Sequence, residues 1–308
     1  MSNEHEHLPA VSGEPNTGII SKRYGHDRYG MTCADGTIIT VSAVHDLDLV
    51  VGDRVAFMSK KGGEKVIVEV YERKSEVRRV VGDTRKRLRK TTQELTIAAN
   101  VDIGVIVTSV RQPKFQTRFV DRYLVVLQNG NVRPVLCLNK IDLERVKPSG
   151  LAMYQHLGLD IIETSVLLPE GLDDLRGAIH GRIAILIGHS GTGKTSLINT
   201  LLPEAHLRTC EVNVKTGSGK HTTSSTDMYR WEAESYIIDT PGIRSLGVGN
   251  IPKVQLKDLF PEFGEIAQKC RFNDCSHDHE PDCAVKTAVE RGEIAISRYE
   301  SYLRMLYE

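Results

Sequence analysis

The sequence lacks any excess of charge: 40 Lys and Arg meet 40 Asp and Glu over 308 residues. That balance excludes a histone-like protein coated in positive charge. It does not exclude a nucleic-acid partner, because such binding depends on where the charges lie. Cysteine is scarce, six residues in all, which argues against a disulfide scaffold. No apolar run approaches the roughly 18 residues that cross a bilayer, so no membrane partner is expected. The opening Met1 to His7 is polar and lacks the basic-then-apolar order of a secretory signal. Repeats and low-complexity tracts are missing too. A cytoplasmic protein of ordinary globular composition is expected. Its length exceeds what one core usually serves, so two or three domains are expected.

What is present falls into three parts. Residues 1–17 hold Pro9, Gly13 and Pro15 with few apolar side chains and read as a frayed terminus. To about Tyr71, short β runs alternate with glycine-containing turns, as at residues 37–41, 53–58 and 65–71. They predict a small OB-type β-barrel, with an SH3-like barrel as the alternative. Residues 72–90 carry nine basic and three acidic residues, a local excess of six in a neutral chain. This stretch is a solvated linker or a stripe that contacts phosphates. From Leu95 to Leu246, apolar runs at 101–107, 134–138, 182–187 and 236–239 alternate with helical spacing. That grammar predicts an α/β domain with a parallel sheet covered on both faces. After Gly247 the chain turns mostly helical. The expected domains are residues 1–86, 87–246 and 247–308.

Gly188-His-Ser-Gly-Thr-Gly-Lys-Thr195 matches Gly-x4-Gly-Lys-Ser/Thr between a buried strand and a helix. Backbone N–H groups of Gly188, His189, Ser190, Gly191, Thr192 and Gly193 would turn in around phosphates. The helix N-terminus at Thr195 and Ser196 adds partial positive charge. Lys194 reaches the β- and γ-phosphates, and the Thr195 hydroxyl is a ligand for Mg²⁺.

Asn139-Lys140-Ile-Asp142 follows a strand. The Asp142 carboxylate can accept from guanine N1–H and its exocyclic amine, whereas adenine would face it with a lone pair. Ser165, in Glu163-Thr-Ser165, resembles the second guanine-contacting loop. Asp239-Thr-Pro-Gly242 suits a water-mediated hold on Mg²⁺ by Asp239 and a γ-phosphate contact from the Gly242 N–H. Between them the hydroxyl-rich residues 217–224 read as a switch loop. Thr222 or Thr223 supplies its Mg²⁺ ligand, Thr223 being preferred. The ligand expected is therefore GTP or GDP with Mg²⁺.

The order of these motifs is unusual. The guanine motif precedes the phosphate loop, and Asp239 comes last, which is a circular permutation of the Ras-like order. Permutation is tolerated where termini lie close on the surface. It also joins residues 239–244 directly to the C-terminal module, so nucleotide state could move that module. In that module Cys270-x4-Cys275-x-His277-x5-Cys283 offers three thiolates and an imidazole to a structural Zn²⁺, with His279 as a rival imidazole. Four ligands would leave no open position for hydrolytic metal chemistry. Cys33, Cys137 and Cys210 read as small buried residues.

These residues, with Ala98-Ala-Asn-Val-Asp102, Asp121-Arg-Tyr-Leu124 and Lys220-His-Thr-Thr223, resemble the bacterial small-ribosomal-subunit biogenesis GTPases over nearly the whole chain. The resemblance implies an OB domain, a circularly permuted P-loop GTPase domain and a zinc domain. It implies GTP hydrolysis stimulated by the small subunit, late maturation of that subunit, and contact with 16S rRNA. The family's spacing puts the zinc imidazole on His277. His189 stands where the family often has Gln, and Thr195 where it often has Ser.

Ras-like enzymes orient the attacking water with a Gln after Asp-x-x-Gly. Here Ile243 stands there and cannot hold water. His221 is the preferred substitute, since similar proteins use a His there and neutral imidazole accepts at physiological pH. A solvent-exposed or RNA-contacting His221 is the alternative. The catalytic set is thus His221, Lys194 and Thr223, in an expected monomer. A nucleotide-gated RNA-binding module, in which hydrolysis only times release, is the second reading. An ATPase or small-molecule kinase is disfavoured by residues 139–142.

Overall fold

A computed structural model describes residues 11–43, 47–81, 93–168, 170–205, 207, 226–240, 247–248 and 251–308. Five strands open the chain: β1 (Val11–Arg23), β2 (Arg28–Cys33), β3 (Ile38–Ser42), β4 (Arg54–Lys60) and β5 (Lys65–Val70). They close into a barrel in the order β1-β2-β3-β5-β4. Every pairing is antiparallel except β3 with β5, which run parallel through Ser42 and Val66. That parallel closure is the OB arrangement and removes the SH3-like alternative. Ile20, Tyr29, Met31, Val41, Val55, Phe57 and Ile67 fill the barrel.

The barrel begins earlier than residue 17. Val11 and Ser12 already pair with Lys60 and Ser59, so the expectation of a frayed start is corrected from Val11 onward. The register breaks between Ser12 and Asn16, and that irregularity accommodates Gly13 and Pro15. The linker reading of residues 72–90 is corrected in part as well. β6 (Glu76–Val81) pairs antiparallel with β7 (Gln93–Ala99). Two cations of that stretch are already engaged: Arg73 donates to buried Asp53 at 2.7 and 2.8 Å, and Arg78 to Glu76 at 2.8 Å. Its remaining cations from Arg85 to Lys90, and the expected boundary at 86, lie outside the described residues.

The central domain runs β8 (Ile103–Ser109), α1 (Thr117–Asn129), β9 (Arg133–Asn139), α2 (Leu151–His156), β10 (Ile161–Thr164), α3 (Leu172–Ile179), β11 (Ile183–Ile187), α4 (Lys194–Leu201), β12 (Asp227–Glu232) and β13 (Ser235–Asp239). Its sheet has the order β10-β9-β8-β11-β13-β12. All pairings are parallel except that of edge strand β12, so the expected parallel sheet carries one antiparallel edge. The runs Ile-Gly-Val-Ile-Val-Thr-Ser and Ile-Ala-Ile-Leu-Ile are buried throughout, as strands covered on both faces must be. α3 and α4 cover one face through Leu175, Ile179, Leu197 and Ile198. α1 covers the other through Val120, Tyr123, Leu124 and Leu127.

The C-terminal module contains α5 (Lys253–Leu256), α6 (Gly264–Ala267), α7 (Ala284–Glu290) and α8 (Ile296–Leu306). It does not bury a core apart. Phe260, Phe263 and Tyr302 belong to the same apolar cluster as Val120 and Leu124 of α1. A buried ion pair fastens the two. The Arg298 guanidinium donates to Asp121 at 2.8 Å and to Glu262 at 2.6 Å, and lies over the Phe260 ring. Tyr154 and Ser301 donate to the same Asp121 carboxylate at 2.7 and 2.6 Å. Burial and the Asp121 charge push the Tyr154 phenol well above its ordinary range, which keeps it a donor.

Candidate active site and metal centre

Parallel strands end on the same side of a sheet, and ligands of open α/β sheets bind at those ends. Here β9 ends in Asn139, β10 in Thr164 and β13 in Asp239, while β11 runs into Gly188. The residues expected to act together are therefore brought to one edge.

The phosphate loop is built on glycines that nothing else can replace. Gly188 has φ +152°, and a Cβ there would stand 2.1 Å from the Val107 carbonyl. Gly193 has φ +96°, and a Cβ there would meet the Asn139 amide at 2.4 Å. Both the left-handed backbone and the close approach need glycine. α4 begins at Lys194, and its first-turn N–H groups open toward the loop. The Lys194 ammonium donates to the carbonyls of Gly188 and His189 at 2.8 and 2.9 Å. Burial pulls its pKa down to about 8, with the nearby Asp239 charge opposing. Burial in turn raises the Asp239 carboxyl, offset by the Thr240 N–H and Lys194. His189 and Ser190 are exposed on the outside of the loop, and the His189 ring packs against Phe119 at 5.1 Å.

The guanine motif is clamped onto this loop. Asn139 donates to the Thr192 carbonyl at 2.9 Å and accepts from the Thr164 hydroxyl at 3.1 Å. Lys140 donates to the carbonyls of Gly191 and Gln112 at 2.7 and 2.6 Å. The Ser165 hydroxyl donates to Asp142 at 2.5 Å and accepts from the Leu167 N–H, which aims the carboxylate. Thr195 and Ser196 lie half-buried on the first turn of α4. His221, Thr222, Thr223 and Gly242 lie outside the described residues. Sequence reasoning missed Thr164, Gln112 and Thr240, whose hydroxyl donates to the Leu186 carbonyl at 3.0 Å. Thr164 sits between two singled-out neighbours, and its place at a strand end was the available signal. The Gln112 carbonyl left no trace in sequence.

In the C-terminal module, Cys270, Cys275, His277 and Cys283 bring four ligand atoms within 4.8 Å of one another. His277 Nδ1 lies 3.6 and 3.5 Å from the sulfurs of Cys270 and Cys283, which are 3.9 Å apart. Ligands about 2.3 Å from a tetrahedral Zn²⁺ would stand roughly 3.7 Å from each other, so the donor set fits that ion. His279 is exposed and stands beside Asp278, outside the cluster. Tyr299 and Tyr302 donate to the carbonyls of His277 and Ser276 at 2.7 and 2.6 Å and hold the ligand loop.

A phosphate loop at the end of a parallel sheet, clamped by a guanine motif that precedes it in the chain, defines a circularly permuted GTPase. The family described as RsgA GTPase matches residues 70–249, more than half of the sequence. The chain belongs to that family, whose members hydrolyse GTP. It is 42% identical over 276 residues to the small ribosomal subunit biogenesis GTPase RsgA of Chlorobaculum parvum, covering 87% of this chain and 88% of that one. It is 41% identical to the protein of the same name from Chlorobaculum tepidum, covering 95% and 98%. Among solved structures it resembles YjeQ from Thermotoga maritima at 30% identity and a TM-score of 0.73, covering 96% and 98%. It also resembles YloQ, a circularly permuted GTPase, at 26% identity and a TM-score of 0.70, covering 100% and 96%. No described helix is long and apolar enough to cross a membrane.

Proposed function

We propose that the protein spends GTP on the maturation of the small ribosomal subunit in the cytoplasm, binding 16S rRNA and hydrolysing faster on the subunit than alone. The observation that supports it best is the clamp between Asn139, Lys140 and the phosphate loop. It ties recognition of guanine to the loop that holds phosphate. Relatives that match the chain in sequence over nearly their whole length are named for small-subunit biogenesis.

In this reading Asp142 accepts from the guanine edge, and Ser165 fixes its orientation. Loop N–H groups from 188 to 193 and the start of α4 bind the phosphates. Lys194, held by two carbonyls, needs only a small shift to meet the β- and γ-oxygens. Thr195 and Asp239, the latter through water, would hold Mg²⁺ together with Thr223. Bound there, the ion neutralises charge developing on the phosphates. Asp239 is a buried carboxylate and Thr195 carries a hydroxyl, oxygen donors of the kind a hard cation takes. A neutral His221 would accept a hydrogen bond from the attacking water and so point its oxygen at the γ-phosphate, while the Gly242 N–H would donate to that phosphate. Cys270, Cys275, His277 and Cys283 hold Zn²⁺ as a structural ion with no open position.

The test is GTP turnover with and without purified small subunits, beside subunit binding in GDP and in a non-hydrolysable GTP analogue. Turnover should rise on subunits, and binding should favour the GTP analogue. Equal affinity in both nucleotide states would refute a nucleotide-gated role.

A further inference from the structure

Between the central domain and the C-terminal module lies a cleft of about 1050 Å³. It belongs neither to the nucleotide site nor to the metal cluster. One wall is the loop from β8 into α1 with Arg111 and Lys114, continued by Arg118 in the first turn of α1; the other includes Arg304 of α8. Lys147 and Glu144 come from the segment after the guanine motif. Five cations thus face one acid in a molecule whose net charge is zero. Lys147 and Arg304 share charge with Glu163 and Glu300. Arg111, Lys114 and Arg118 enter no ion pair found among the described residues, though Arg118 lies over the Phe119 ring. Arg111 and Lys114 are exposed, so their ammonium and guanidinium groups are free to meet an anion.

We propose that this cleft is a phosphodiester-binding groove that seats an RNA backbone across the junction of the two domains. A row of solvated cations with a single opposing acid is the footprint of a polyanion, read by charge and not by sequence. A folded protein partner would instead need a cluster of apolar anchors at the centre of its footprint; here Phe115 is buried and Val146 alone offers an exposed large apolar side chain among the lining residues. The position also carries meaning. Gln112 lies on the same wall between Arg111 and Lys114, and its carbonyl shares the Lys140 ammonium with Gly191 of the phosphate loop. RNA held at Arg111 and Lys114 therefore touches the segment that braces the nucleotide site.

The inference rests on the proposed work on the small subunit, and its test separates the two. The full-length Arg111→Ala, Lys114→Ala, Arg304→Ala triple variant replaces only exposed residues outside the nucleotide machinery. Its unfolding midpoint and unstimulated GTP turnover should match the parent. Its affinity for small subunits in a non-hydrolysable GTP analogue should fall about tenfold or more, and its slope of log affinity against log salt should become shallower by about two, near one unit per phosphate lost. A parent that binds while the triple variant keeps its affinity and salt slope overturns the groove and leaves the proposed function standing. A parent that does not bind subunits at all overturns both. In competition, single-stranded RNA should displace subunits from the parent more effectively than polyglutamate of matched charge. The reverse order would make the cleft a site for an acidic protein and overturn the proposal.

Discussion

Lys194 is the side chain on which the pH behaviour of the site turns. Burial lowers its pKa to about 8, below the ordinary lysine value. Polyphosphate restores the ammonium, so the complex carries a proton that the free protein loses as pH rises through 8. Affinity for a non-hydrolysable GTP analogue should thus be flat below pH 8 and about tenfold weaker at pH 9 than at pH 7. Titration calorimetry across that range measures it; an unchanged affinity at pH 9 would contradict the burial argument. His221 carries the second residue-level expectation. With Ile243 standing where Ras-like enzymes keep Gln, His221→Ala should retain GTP affinity yet lose about hundredfold in subunit-stimulated turnover. Single-turnover kinetics on subunits would reveal it, and full stimulated activity in the variant would sink the water-orienting role. Much at this scale was legible in advance. Lys194, Asn139 and Asp142 announce themselves because their chemistry demands fixed spacing. The bonds that aim them, from Thr164, Ser165 and the Thr192 carbonyl, depend on which strand ends lie side by side, and spacing does not encode that.

At the scale of elements, the buried strands β8, β11 and β13, and β9 from Val135 onward, were readable as apolar runs. β12 was not, because Asp-Met-Tyr-Arg-Trp-Glu covers an edge and is only half-buried. β6 hid in a basic stretch, since a two-stranded sheet asks little of its side chains. The contact between α1 and α8 was also unreadable. Asp121 was noticed as part of a motif, but its partner lies 177 positions away. That contact yields a sharp expectation. Arg298→Ala leaves Asp121 charged, fully buried and without its counter-ion. The loss should be about 3–5 kcal/mol in urea unfolding. Arg298→Met combined with Asp121→Asn should lose distinctly less than the sum of the single changes, since the fully buried Asp121 charge is then gone and only the partly exposed Glu262 lacks its partner. Additive effects would show that the pair does not act as a unit.

The molecule as a whole joins an OB barrel, a permuted GTPase domain and a module built around a Cys/His cluster that could hold a metal. With the proposed zinc in place, that module would draw stability from its ion. Chain folding around four ligands between 270 and 283 draws on metal binding, which reaches roughly 10–16 kcal/mol in isolated finger peptides. Here Phe260, Phe263 and Tyr302 share the load, so Cys275→Ser should lose the bound zinc and loosen residues 253–308 without abolishing GTP binding. Metal analysis, hydrogen exchange and nucleotide affinity on the same sample would show whether those effects separate. Retained zinc in the variant would reject the ligand assignment.

The Asp121–Arg298–Glu262 node has a mechanical consequence. It bolts the C-terminal module to α1, a helix whose other side lies on β8, so the module and that part of the sheet are tied together. If a nucleotide signal reached the module along the chain after Asp239, it would push on a body already pinned at a second point. Such a body would pivot about its pin instead of swinging free. The bolt would then serve as a fulcrum.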